Sequence, residues 1–144
     1  MQVFTVAVLM VGSVLLIDDN SIDNFINESV LKAEHFSKRI YSASSGVKAL
    51  ETLPAIEHEP CCQDLIFLDI NMPGMDGFEF LRAFENLPPS IKAKFKVVML
   101  SSTLDPNEIR RAESHPDVIK FMSKPLTYSK LQELTPYVDS IGNN

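Results

Sequence analysis

Short apolar runs recur along the chain, and each stops at a charged or hydroxyl-bearing residue. Val14-Leu15-Leu16-Ile17 ends at Asp18-Asp19-Asn20, Leu65-Ile66-Phe67-Leu68 ends at Asp69, and Val97-Val98-Met99-Leu100 ends at Ser101-Ser102-Thr103. Runs without polar alternation suit strands covered on both faces, as in a parallel sheet. Two weaker segments complete the set: Arg39-Ile40-Tyr41-Ser42, and Val118-Ile119-Lys120-Phe121-Met122, which leads into Ser123-Lys124-Pro125. The first buried strand is expected over Ser13 to Ile17.

Between these runs the spacing changes to three and four. Ile22, Phe25, Ile26, Val30 and Leu31 recur at helical spacing, with Asp23, Asn24, Glu28 and Lys32 on the other face, so an amphipathic helix is expected. Ser44-Ser45 offers caps for a second helix carrying Val47, Leu50 and Leu53, stopped near Pro54. Phe78, Leu81 and Phe84 mark a third, ended by Pro88-Pro89. Asp105-Pro106 opens a fourth with Ile109 and Ala112 inward, and Thr127 caps a fifth through Leu131 and Leu134, which Pro136 kinks or shortens. Strands alternating with helices in this way predict a doubly wound, five-stranded α/β sheet. In open parallel sheets ligands bind beyond the carboxyl ends of the strands.

Composition narrows the class. At 144 residues, 45% hydrophobic and 22% charged, the chain fits one globular domain. A net charge of −6 argues against a nucleic-acid surface, which needs a basic patch to neutralise phosphates. The apolar stretch Val3 to Ile17 raises the question of a membrane span, but a spanning helix needs about twenty apolar residues. Asp18 and Asp19 end this one early, and Met1-Gln2 lacks the positive start of a secretory signal. Residues 1–12 are therefore expected to be an extension and 13–141 the domain, with no membrane contact. Adjacent Cys61 and Cys62 cannot bridge without strain and are too few for zinc. They suit two small apolar residues entering a strand, and the lack of a disulfide framework favours a reducing, cytoplasmic location. His35, His58 and His115 stand among polar neighbours and are expected at the surface or in loops.

The last residues of the strands make a chemical set: Asp18 and Asp19, Asp69, Ser101 and Lys124. Clustered carboxylates repel by about 4 kcal/mol per pair at 4 Å and an effective dielectric of 20, so they call for a cation. Oxygen ligands select a hard ion, and Mg²⁺ is commonly held by one or two carboxylates plus waters and phosphate oxygens. A phosphoryl group completes the arrangement, with Lys124 and Ser101 on its oxygens and Asp69 able to attack phosphorus.

These residues, taken in order with Leu68-Asp69-Ile70-Asn71-Met72-Pro73-Gly74-Met75-Asp76-Gly77 and Lys124-Pro125, make the chain resemble the receiver domain of two-component response regulators, including stand-alone chemotaxis-type regulators. The resemblance covers about Ser13 to Ile141. It implies a flavodoxin-like sheet of strand order 2-1-3-4-5, Asp69 as phosphoacceptor, and Mg²⁺ held by Asp18, Asp19, Asp69 and the Asn71 carbonyl. It also implies a cis Lys124-Pro125 peptide, contacts from Ser101 and Lys124 to the phosphoryl group, and a switch in which Ser101 moves inward and Phe121 rotates into the vacated space. Phe121 departs from the commoner tyrosine and so must work by packing alone. Asn71 and Thr103 fall where family members tune access of the hydrolytic water. Implied partners are a sensor histidine kinase or histidine phosphotransfer protein, and a downstream protein on the surface of the fourth helix, fifth strand and fifth helix.

The expected function is that of a single-domain phosphorelay regulator signalling by protein contact, since no output domain fits after Asn144, and not that of an enzyme acting on other substrates. The alternatives are a relay intermediate that passes its phosphoryl group on and, less well matched, a Mg²⁺-dependent aspartyl phosphatase. The haloacid-dehalogenase type of the latter carries Asp-x-Asp, whereas Asp69-Ile70-Asn71 has no second acid. A flavin or nucleotide carrier of similar fold wants a phosphate-cradling loop, and Asp18-Asp19-Asn20 repels phosphate there.

Overall fold

In the computed structural model, which describes residues 11–60 and 62–142, the apolar runs become parallel strands. These are β1 (Val11–Ile17), β2 (Ser37–Ala43), β3 (Asp64–Asp69), β4 (Phe95–Ser101) and β5 (Val118–Ser123). They form one sheet in the order β2-β1-β3-β4-β5. The helices are α1 (Ser21–Ala33), α2 (Gly46–Thr52), α3 (Gly77–Glu85), α4 (Pro89–Lys92), α5 (Pro106–Glu113), α6 (Tyr128–Gln132) and α7 (Thr135–Gly142). A 3₁₀ turn, Leu53–Ala55, follows α2.

Side chains alternate across a strand, so each central run feeds two cores. Leu15, Ile17, Ile66, Leu68, Val97 and Met99 pack with Ala49 of α2, Phe80 and Phe84 of α3 and Ala112 of α5. Val14, Leu16, Leu65, Phe67, Val98 and Leu100 pack on the opposite face with Leu31 of α1, Leu131 of α6 and Val138 of α7. This double burial explains why β1 and β3 are buried at every position, whereas the edge strand β2 is mostly half-buried.

Several sequence expectations shift. β1 starts at Val11, before the expected Ser13, because Val11 N donates to Phe36 O and Gly12 N to Gln63 O. The first helix is inverted near its start: Ile22, Phe25 and Ile26 are exposed, while Asn27 is buried beside Leu31. Val47 is likewise exposed, and Ala49 takes the inner position on α2. The extra helix α4 begins at Pro89, and Pro136 opens α7 rather than merely shortening the helix before it. Residues 1–10 of the expected extension and Cys61 lie outside the described residues. Among the described residues no helix is long and apolar enough to cross a membrane.

Candidate functional site

Parallel register sets the acids side by side. Ile17 pairs with Leu68, so Asp18 and Asp69 leave neighbouring strands at the same level. On the other side Ile70 N donates to Leu100 O (3.2 Å) and Lys124 N to Ser101 O (2.8 Å), which carries the alignment across to β5. Asn20 then caps α1, its Oδ1 accepting from Ile22 N (2.9 Å) and Asp23 N (3.2 Å), and Asp18 Oδ1 accepts from Asn20 N (2.9 Å). The helix therefore starts directly over the acids.

The loop after β3 is folded tightly back. Gly77 N donates to Ile70 O (2.8 Å), and Asp76 caps α3 in a reciprocal box with Glu79. Gly74 has φ 79°, a left-handed conformation that favours glycine. A Cβ on Gly77 would stand 2.7 Å from Asp69 O and 2.9 Å from Ile70 Cα, so the close approach of α3 to the acid-bearing strand requires glycine.

Ligand atoms of Asp18, Asp19 and Asp69 lie within 4.8 Å of one another. Lys124 Nζ is 2.7 Å from Asp18 Oδ2, 3.0 Å from Asp23 Oδ2 and 3.1 Å from Asp69 Oδ1. One ammonium thus faces a set of carboxylates that outnumbers it. Burial, reinforced by the charge of Asp18, pushes the Asp69 carboxyl up to about 6 although Lys124 pulls it down. Burial by itself lowers the Lys124 ammonium, but hydrogen bonds to Asp18 and Asp23 and the charges of Asp69 and Asp18 outweigh it and hold the ammonium above its ordinary value. Excess negative charge on clustered oxygens fits a hard divalent cation.

Ser101 is fully buried at the end of β4, and its Oγ accepts from Thr103 N (3.1 Å) and lies 3.4 Å from Thr103 Oγ1. Met99 pairs with Phe121 and Ser101 with Ser123, so Phe121 and Ser101 share a face of the sheet. Phe121 is 9% exposed and packs in the core with Met99 and Ala112. Asn71 is exposed in the loop after Asp69, and the Lys124-Pro125 peptide is cis, as the resemblance implied.

Two contributors come from the face of α1 that the periodicity assigns to the polar side: Asp23, which meets Lys124, and Asn24, whose Nδ2 donates to Asp18 O (2.9 Å). The spacing of Asp23 and Asn27 with buried Leu31 was the signal, since residues four apart share a helical face. At the other end of β3, buried Asp64 accepts from Ser13 N (2.8 Å) and lies 2.7 Å from His58 Nδ1. His58 and His115 lie in loops as expected and are in addition paired with carboxylates, the latter 2.5 Å from Glu85 Oε1, while His35 is exposed at a turn with φ 51°.

Residues 14–135 match a family model described as the response regulator receiver domain. The two-component response regulator ARR17 of Arabidopsis thaliana is 34% identical over 128 residues, covering 84% of this chain and 80% of that relative. Histidine kinase 3 of the same plant is 32% identical over 90 residues, covering 61% of this chain but only 8% of the kinase. Among solved structures, a two-component response regulator from Cytophaga hutchinsonii superposes with TM-score 0.77 at 36% identity, covering 94% of this chain and 99% of that one.

Proposed function

Because the chain belongs to the response regulator receiver family, we propose that it takes a phosphoryl group onto Asp69 from a histidine kinase or histidine phosphotransfer protein and signals through phosphorylation-dependent protein contact. The observation that carries this is the Asp69 carboxylate, buried, 3.1 Å from the Lys124 ammonium and grouped with Asp18 and Asp19. We assign residues 13–141 to the receiver unit, joined by Val11 and Gly12 as the start of β1, and residues 1–10 to an extension. Receiver domains are signalling modules rather than enzymes acting on separate substrates, and the chemistry here is the protein's own modification.

Asp18, Asp19, Asp69 and the Asn71 carbonyl would hold Mg²⁺, which when bound supplies neutralising charge for the phosphoryl oxygens. In the transfer the P–N bond of a phosphohistidine breaks as an O–P bond to Asp69 forms, and the imidazole leaves with the bonding pair and takes a proton from water. Asp69 must be ionised to attack, and with its carboxyl at about 6 it is largely so at neutral pH. Lys124 donates to a phosphoryl oxygen, since its ammonium already lies against the attacking carboxylate. Ser101, now turned to Thr103, is the hydroxyl that can reorient toward the new group. Phe121 lies against that move and passes it by packing to the surface of α5, β5 and α6. Asn71 and Thr103, both exposed beside the site, set access of the hydrolytic water.

Likeness to a segment within a histidine kinase supports a second outcome, in which Asp69 hands its phosphoryl group on rather than engaging an effector. Incubation with Mg²⁺ and acetyl phosphate should give one acyl phosphate per chain in the wild type and none in Asp69→Asn; equal labelling of both refutes the assignment. Decay of the label should change in Asn71→Ala or Thr103→Ala, and an unchanged rate in both removes their role.

A further inference from the structure

The Lys124 ammonium can serve the transfer only if the backbone that carries it is held still, and that backbone is gripped from two helices. Lys130, on α6, spends its three N–H donors on Ser123 O (2.7 Å), Ser123 Oγ (3.0 Å) and Pro125 O (2.9 Å). These acceptors bracket Lys124. Asn27, 2% exposed on α1, accepts Leu126 N through its Oδ1 at 2.9 Å. One turn earlier on the same helix, Asp23 holds the Lys124 ammonium itself at 3.0 Å. The segment from Ser123 to Leu126 is thus tied on both sides of the lysine, and its head is tied as well.

We propose that Lys130 and Asn27 are positioning residues for phosphoryl transfer: they fix the Ser123–Leu126 backbone so that the Lys124 ammonium meets the Asp69 carboxylate. This rests on Asp69 being the phosphoacceptor. Lys130 makes no carboxylate pair among the described residues, and its contacts are to uncharged oxygens of this one segment. An ordinary surface lysine would be expected to stay solvated, because ordering its long side chain costs rotamer entropy. A displacement of about 1 Å in a reacting group can cost about 100-fold in rate, so loosening this grip should be visible in the chemistry.

The test compares wild type, Lys130→Met, Lys124→Ala and the double variant in phosphorylation by acetyl phosphate at saturating Mg²⁺. Lys120→Met, which removes a lysine 3.7 Å from Glu133, is the control. Methionine keeps the stem of the half-buried Lys130 and removes only the ammonium. Lys130→Met should slow labelling at least about tenfold, and in the Lys124→Ala background it should add nothing, because it acts through Lys124. Lys130→Arg, which returns N–H donors to the same oxygens, should recover most of the lost rate, a rescue that lost packing alone would not give. Asn27→Ala should follow the same pattern, and the partly exposed Lys130 site keeps the test decisive if the buried Asn27 variant fails to fold.

Labelling of Lys130→Met at the wild-type rate, an equal loss with and without Lys124, or a Lys130→Arg variant as slow as Lys130→Met overturns the proposal. A wild type that takes no label overturns both this proposal and the Asp69 assignment. A labelled wild type with an unaffected Lys130→Met overturns this one alone.

Discussion

Replacing Asp69 by asparagine should make the protein more stable at neutral pH in the absence of divalent cations. Burial and the neighbouring Asp18 charge raise the Asp69 carboxyl from its ordinary 3.8 to about 6 in the folded protein, so folding favours the protonated form. The ionised form is correspondingly a cost to the fold. That cost is absent below about pH 4, builds as pH rises toward about 6, and is complete above it. A rise of that size corresponds to about 3 kcal/mol at full strength, and solvent and salt screening at the mouth of the site reduce it to about 1–2 kcal/mol. Asparagine imitates the protonated carboxyl in size and charge. Urea unfolding of both forms with a chelator should show Asp69→Asn more stable by about 1–2 kcal/mol at pH 7.5, with the gap closing toward pH 4. A variant less stable than wild type at neutral pH, or a gap that stays constant from pH 4 to 7, would refute the account of mutual repulsion in the acid cluster.

Two further outcomes follow from the same geometry. Mg²⁺ should stabilise the wild type against thermal unfolding by about 2.7 kcal/mol at a concentration 100 times its dissociation constant. That gain should largely vanish in Asp18→Asn or Asp19→Asn, and an undiminished gain in both would move the cation elsewhere. Gly77→Ala should cost about 1–3 kcal/mol in urea unfolding, because the added methyl would stand 2.7 Å from the Asp69 carbonyl, backbone that cannot give way cheaply. Wild-type stability of that variant would show that α3 can retreat from β3.

The alternation of uninterrupted apolar runs with helical spacing was enough to read a doubly wound sheet and to bring Asp18, Asp69, Ser101 and Lys124 to one edge. Parallel strands all end on the same side, so the residue that closes each run is placed by topology alone. Asp19 and Lys124 were legible for the same reason. Periodicity also showed which residues of the first helix share a face, but it could not show which face turns inward. The Lys124 ammonium, the Asp18 carbonyl and the Leu126 amide hold Asp23, Asn24 and Asn27 inward and leave Ile22, Phe25 and Ile26 outside, against the usual apolar preference.

By itself the sequence determined the five strands, their order and the chemical set at the strand ends, because these depend on local pattern and on a topology with few alternatives. Only the tertiary structure decided partners distant in the chain. It joined Lys124 to Asp23, Asn27 to the Leu126 amide and Asp64 to the Ser13 amide. It also raised the Asp69 carboxyl, since burial and neighbouring charge exist only once β1, β3 and β5 have brought those groups together.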